Sequence, residues 1–273
     1  MPYSPEEIAQ RQRFDEFYLR SQSPVLLSIE RTVCGCGYGG NSWTTRDEAD
    51  RIGAILGLKP GRRLLDLGAG AGWPGLYLAQ QSGCDVVLLD LPISGLRIAV
   101  RRAVKDRISS ACFGTVADAA VMPFSTDTFH AVSHSDLLCC LKQKRAVLRA
   151  CRQVVRNPGR MVFTVISITP GLTPDDHRRA VENGPEYIDL ESSYPTLLAQ
   201  TGWVIEEHHD ITEDYAQSCE RQRLADQKWQ EPLEELLGVS AYAERGSGWT
   251  TKLAALGDGL IRRELFVVVP DSQ

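Results

Sequence analysis

Residues 62–90 read R-R-L-L-D-L-G-A-G-A-G-W-P-G-L-Y-L-A-Q-Q-S-G-C-D-V-V-L-L-D, from Arg62 to Asp90. The punctuation predicts strand, glycine turn, helix and second strand. Leu64 to Leu67 is a short apolar run, and Gly68, Gly70 and Gly72 make the turn. Pro74 stands in the first turn of the helix, where no intrahelical N–H is lost. Leu76, Leu78 and Ala79 continue that helix, and Val86 to Leu89 is a second apolar strand closed by Asp90. The acidic residue thus lies about 20 positions beyond the glycines of a βαβ unit. Glycines permit a tight turn and let a ligand reach main-chain N–H groups that a Cβ would block. A carboxylate at the tip of the second strand is placed to accept hydrogen bonds from both ribose hydroxyls of a nucleoside cofactor.

Two registers of the glycines compete. Gly70-x-Gly72-x-x-Gly75 fits the dinucleotide fingerprint, which points to an NAD(P)-dependent oxidoreductase. Asp66-x-Gly68-x-Gly70-x-Gly72 instead resembles motif I of class I S-adenosylmethionine (SAM) dependent methyltransferases, which L-L-D-L-G-A-G-A-G matches closely. In that family the carboxylate at the Asp66 position lies near the methionine moiety. A dinucleotide would put an anionic pyrophosphate there. Further on, Ala111 to Val116 reads as a third strand, and Asp118-Ala119-Ala120-Val121-Met122-Pro123-Phe124 is similar to the family pattern D-A-x-x-(L/M)-P-F. The resemblance implies that Asp118 accepts a hydrogen bond from the adenine amino group. It decides the register against a dinucleotide.

The resemblance further implies an α/β fold with a seven-stranded, mostly parallel, doubly wound sheet, N-terminal helices and helical insertions forming a lid. It implies SAM as cofactor, S-adenosylhomocysteine as product and a small-molecule acceptor methylated on oxygen, nitrogen or carbon. The cofactor-binding set carried over is Asp66, Gly68, Ala69, Gly70, Gly72, Asp90, Leu91, Asp118, Ala119 and Ser133. Tyr38 and Ser42 join it from the loop Cys34 to Thr45, whose glycines and aromatics resemble a cofactor-covering segment.

Composition bounds the remaining readings. A chain of 273 residues with 43% hydrophobic content suffices for one large α/β domain with insertions. The formal charge of −5 gives no electrostatic reason to expect nucleic acid. No apolar run reaches ~18 residues, so no membrane span is expected. The first residues lack a basic-then-apolar pattern, so the expected location is the cytoplasm, with the eight cysteines as thiols. Cys34 and Cys36 lack structural-zinc spacing, so no metal is expected. With Cys139 and Cys140 they do fall roughly where arsenite methyltransferases carry their thiols, which keeps that variant as an alternative. A SAM-binding regulatory protein without transfer is another, because glycines and carboxylates report binding and not chemistry.

Taken in order, residues 1–60 form N-terminal helices and the covering loop, 61–168 the cofactor-binding core, and 169–273 the rest of the sheet with insertions at 169–195 and 213–257. Residues 4 to 31 read as helical, with Ser4 and Glu7 as a capping box. Thr45 to Leu58 is the next helix. Pro92 to Arg107 carries a basic face opposite Leu96, Ile98, Val100 and Val104. The fourth strand, Phe129 to Ser133, runs into His134-Ser135-Asp136. Ligands bind beyond the carboxyl ends of such strands, where strand order reverses, so His134 is the candidate general base. Trp43, His134, Asp136 and Tyr215 are the candidate acceptor-binding residues. No N-P-P-Y-type motif occurs there, which argues against a nucleic-acid base as acceptor. Leu141 to Val155 reads as a helix stopped at Asn157-Pro158-Gly159, and Arg160 to Ile168 as the fifth strand. Trp203 to His209 and Glu264 to Val269 are the last two strands. The insertion between them covers the active site or makes a homodimer interface.

Overall fold

The computed structural model describes residues 3–108 and 111–271. Two helices come first, α1 (Pro5–Arg20) and α2 (Pro24–Cys34), then α3 (Arg46–Leu56). The core follows as β1 (Arg63–Leu67), α4 (Gly75–Ser82), β2 (Asp85–Asp90), α5 (Ile93–Lys105), β3 (Cys112–Val116), β4 (Phe129–Ser135), α6 (Lys144–Val154) and β5 (Val155–Ile168). Next are α7 (Pro174–Asn183), α8 (Tyr194–Ala199) and β6 (Trp203–Asp210). Three helices, α9 (Thr212–Lys228), α10 (Gln230–Leu237) and α11 (Val239–Gly257), precede β7 (Ile261–Pro270).

The seven strands form one sheet in the order β3-β2-β1-β4-β5-β7-β6. Neighbours pair parallel from β3 to β5, while β7 runs antiparallel to both β5 and β6. Strand order therefore reverses between β1 and β4, and the crevice beyond their carboxyl ends is the expected ligand position. Each sheet face buries its own apolar cluster, one containing Leu65, Val132 and Phe163, the other Leu64, Ala131 and Val267. Parallel strands covered on both faces need such continuous apolar runs.

Local signals set most helix ends. Ser4 with Glu7, and Thr45 with Glu48, close reciprocal capping boxes at α1 and α3. The helix read over 4–31 is in fact two, because Pro24 has no N–H to continue α1 and instead occupies the first turn of α2. On α5 the buried stripe is Leu96, Ala99 and Ala103, whereas Val100 and Val104 are exposed. Asn157-Pro158-Gly159 does not stop the preceding helix. Val155 already pairs with Phe129, the next pair is Ala131 with Arg160, and the residues between are extruded as a bulge. A proline cannot donate to a ladder, so a bulge is where a strand accommodates it. No described helix is long and apolar enough to cross a membrane.

Candidate functional site

The site is built on the turn between β1 and α4. Asp66, the last residue but one of β1, is buried, and both its oxygens are engaged. Oδ1 accepts from the Ser133 hydroxyl at 2.9 Å and Oδ2 from the Gly75 N–H at 3.1 Å. One carboxylate thereby ties β1 to β4 and to the start of α4. A Cβ on Gly75 would run into that carboxylate, which accounts for the glycine there. Burial pushes the Asp66 carboxyl up to about 7, against the lowering effect of its two donors.

Asp90, at the end of β2, accepts from the Gly70 N–H at 2.7 Å and from the Leu91 N–H at 2.8 Å. It is also buried, and desolvation raises its carboxyl to about 6. Gly70 has φ +49°, and a Cβ there would come within 2.8 Å of the Tyr18 ring of α1. Only glycine combines that left-handed geometry with so close an approach. Asp118, beyond β3, accepts from the Ala120 N–H at 2.8 Å and from the Tyr3 hydroxyl at 3.1 Å.

Gly68, Asp90, Leu91, Asp118 and Asp136 line one cavity of about 130 Å³. Its roof is α1, through Gln10, Phe14 and Tyr18. Gln10 holds that roof down by donating to the Cys140 carbonyl at 3.1 Å, and Asp15 accepts from the Ser94 N–H at 2.9 Å. A smaller void beside it, about 20 Å³, is lined by Asp66, Ala69, Gly70, Ser42 and Ser135.

Several residues read from sequence lie elsewhere. His134, proposed as general base and acceptor contact, points to the opposite face of β4 from Ser133 and Ser135, as alternation along a strand requires. It is 1% exposed, stacks on Phe163 at 4.7 Å, and neither ring nitrogen has a hydrogen-bond partner. Burial alone lowers its pKa to about 3, so it stays neutral in the core. Tyr215 is 1% exposed and lines none of these cavities. It backs Trp43 edge-on at 5.2 Å. Tyr38 packs on Trp73 at 5.2 Å under the Arg102 guanidinium, 4.2 Å from its ring. Gly72 faces Leu76 and Ala99, and Ala119 belongs to the apolar core. Ser133 serves the site through Asp66.

Asp136 does reach the cavity, and it is held from behind. Its φ is +52°, and its carboxylate accepts from the Arg263 guanidinium at 3.0 to 3.1 Å. Arg263 is buried on β7 and also donates to Glu48 of α3 at 2.8 Å and to Thr164 of β5 at 3.2 Å. Sequence reasoning missed Arg263, Gln10 and Tyr18. A signal for Arg263 existed: Arg262 and Arg263 are adjacent on a strand, so only one of them can face solvent.

The cysteines do not converge on one centre. Cys34, Cys36 and Cys139 are buried, and Cys139 donates to the Asp136 carbonyl at 3.1 Å. Cys140 alone reaches the cofactor-side cavity. Among the described residues no group of three or more His, Cys, Asp or Glu is arranged to hold a metal ion.

Residues 65–163 match the family described as methyltransferase domain. A phosphoethanolamine N-methyltransferase of Triticum aestivum is 24% identical over 244 residues, covering 89% of this chain and 47% of the relative. The chain thus spans about half the length of these curated relatives. Among solved structures, a Haemonchus contortus phosphoethanolamine N-methyltransferase 2 complex superposes with a TM-score of 0.77 at 20% identity, covering 95% of this chain and 60% of the other. A Streptomyces coelicolor geranyl diphosphate C-methyltransferase superposes with a TM-score of 0.74 at 13% identity, covering 98% and 100%. Residues 65–163 thus carry a match to a methyltransferase domain, on a fold shared with these solved structures.

Proposed function

We propose that the chain is a SAM-dependent methyltransferase acting on a small-molecule acceptor. One observation carries the reading: Asp90 and Asp118, at the tips of adjacent strands, share a cavity with the glycine turn. The residues present fit the cofactor. A carboxylate has about four lone-pair sites, and Asp90 uses two of them on Gly70 and Leu91. The Tyr18 hydroxyl also interacts with this carboxylate, and the remaining capacity is available to ribose hydroxyls. Leu91, Leu141 and Val147 give the cavity that Asp118 lines apolar walls suited to a purine. Asp66, Ser42 and the turn form the end assigned to the methionine moiety.

SAM supplies an electrophilic sulfonium methyl whose leaving group is S-adenosylhomocysteine. What the protein contributes is alignment and exclusion of water. Helix α1 covers the cavity, and Asp136, fixed by Arg263, is assigned to orient the acceptor. With His134 turned into the core, no histidine lines the cavity as a candidate base.

The test is calorimetry of the purified chain with SAM, S-adenosylhomocysteine and NADH in parallel. Binding of the first two and not the third is the expected result. NADH binding alone would transfer the reading to an oxidoreductase.

A further inference from the structure

The cofactor-side cavity does not end at Asp136. A second cavity, of about 630 Å³, adjoins it and shares Gln10, Phe14, Asn41, Asp136 and Cys140 with it. A third, of about 310 Å³, shares Phe17, Arg20, Asn41, Trp43 and Trp249 with the second. The three therefore form one path, from the glycine turn, past Asp136, to a space enclosed by α2, α10 and α11.

The chemistry changes along this path. At the far end, Leu26, Ile29, Val33 and Leu237 present an apolar surface. In the middle, Trp43 and Trp249 meet edge-on, with ring centroids 5.7 Å apart. Lys252 lines the same stretch, its ammonium 5.8 Å from the Trp249 ring, and Arg20 lines the same cavity. Of the other charges on these walls, Arg13 is matched by Glu186, Arg245 by Asp226 and Asp136 by Arg263, Glu30 accepts from the Gly39 and Gly40 N–H groups, and Glu16 lines the second cavity one turn before Arg20. Among the described residues no carboxylate pairs with Lys252 or Arg20. A half-buried ammonium with no carboxylate partner, at the polar middle of a path whose far end is apolar, is a position suited to an anion.

Size points the same way. Pockets of ~300–1,000 Å³ accommodate drug-sized ligands, and the second and third cavities each reach that range on their own. A compact polar acceptor of a few atoms would leave the far end unfilled.

Resting on the methyltransferase reading, we infer that the acceptor is an elongated amphipathic anion. Its methyl-accepting group lies at Asp136, its carboxylate or phosphate at Lys252 and Arg20, and its hydrocarbon body between α2, α10 and α11.

The test uses the full chain saturated with S-adenosylhomocysteine and the fluorescent amphiphilic anion 1-anilinonaphthalene-8-sulfonate as probe. Decanoate and decyl phosphate are expected to displace it at least tenfold more tightly than decyltrimethylammonium or phosphocholine. The order of the two anions tells a carboxylate acceptor from a phosphate one. Ala241→Trp, on the exposed side of the far cavity, should weaken decanoate at least tenfold. Lys252→Gln should weaken both anions and leave decanol unchanged. Neither substitution should change S-adenosylhomocysteine affinity, which also reports that the variants fold. Equal displacement by cation and anion, or decanoate binding indifferent to Ala241→Trp, overturns the inference while the methyltransferase reading stands. Failure of S-adenosylhomocysteine to bind the parent chain removes both.

Discussion

At the residue scale, the carboxylates and the one core histidine have opposite meanings. Asp90 combines a cavity-lining position with two backbone donors that hold its orientation. Asp90→Ala is expected to weaken S-adenosylhomocysteine binding by about 1–3 kcal/mol, through lost charge-assisted hydrogen bonds. Calorimetry giving an unchanged affinity would remove Asp90 from the site. His134 occupies a place that wants an apolar ring. Its unpartnered nitrogens carry a desolvation penalty of about 1–3 kcal/mol that phenylalanine would not. His134→Phe should therefore keep methyl transfer within about twofold and hold or raise stability, whereas removal of a general base costs about 10²–10⁴ in rate. The pH dependence has a definite sign. The folded-state pKa of His134, about 3, lies below the usual value of 6.5. Its neutral form is thus favoured by the fold, the stability is complete above 6.5, and it is lost as pH falls from there toward 3. Urea midpoints between pH 4 and 7 should fall less steeply with acid in His134→Phe than in the parent.

At the element scale, the C-terminal strand is as much part of the site as the glycine turn. β7 brings Arg263 to Asp136, and α3 brings Glu48 to the same guanidinium, so three distant segments meet in one buried ion cluster. Such a cluster is not itself evidence of stability, but breaking it leaves an uncompensated charge. Arg263→Met is expected to lower unfolding free energy by about 3–5 kcal/mol. Adding Asp136→Asn should recover part of that loss, as urea denaturation of the single and double variants would measure. Additive losses would mean the two side chains are energetically independent. On the other face, strands β4, β5, β7 and β6 are joined by directly opposed rings. His134, Phe163, Phe266 and His208 stack in succession at 4.7, 5.1 and 4.1 Å. Cross-strand pairs of this kind stabilise register, which supplies a structural role for the histidine that sequence position suggested was chemical.

At the scale of the whole molecule, the N-terminal helices, the sheet tips and the α9–α11 insertion surround one connected space. Ligand binding is then coupled to global stability by mass action. S-adenosylhomocysteine at 100 times its dissociation constant should stabilise the folded chain by about 2.7 kcal/mol. For a domain of this size that corresponds to a rise in Tm of about 5 °C or more. Thermal scans with and without ligand measure it, and NADH at the same concentration is expected to have no effect. A Tm that does not respond to S-adenosylhomocysteine would contradict the assignment of the central cavity.

What the sequence determined by itself is local. The βαβ unit, its glycine turn and the placement of Asp66, Asp90 and Asp118 around that turn are legible because their physics is written within short spans: left-handed turns, apolar strands and acidic strand tips. The capping boxes of α1 and α3 were legible for the same reason. The tertiary structure alone decided which face each side chain took and what it met across the chain. Strand alternation sent His134 into the core and Ser133 to Asp66. Antiparallel insertion of β7 delivered Arg263 to Asp136 from 127 positions away. Helix α1 placed Tyr18 against Gly70, and α2, α10 and α11 enclosed the far cavity. These contacts depend on chain crossings and register, which no short stretch of residues encodes.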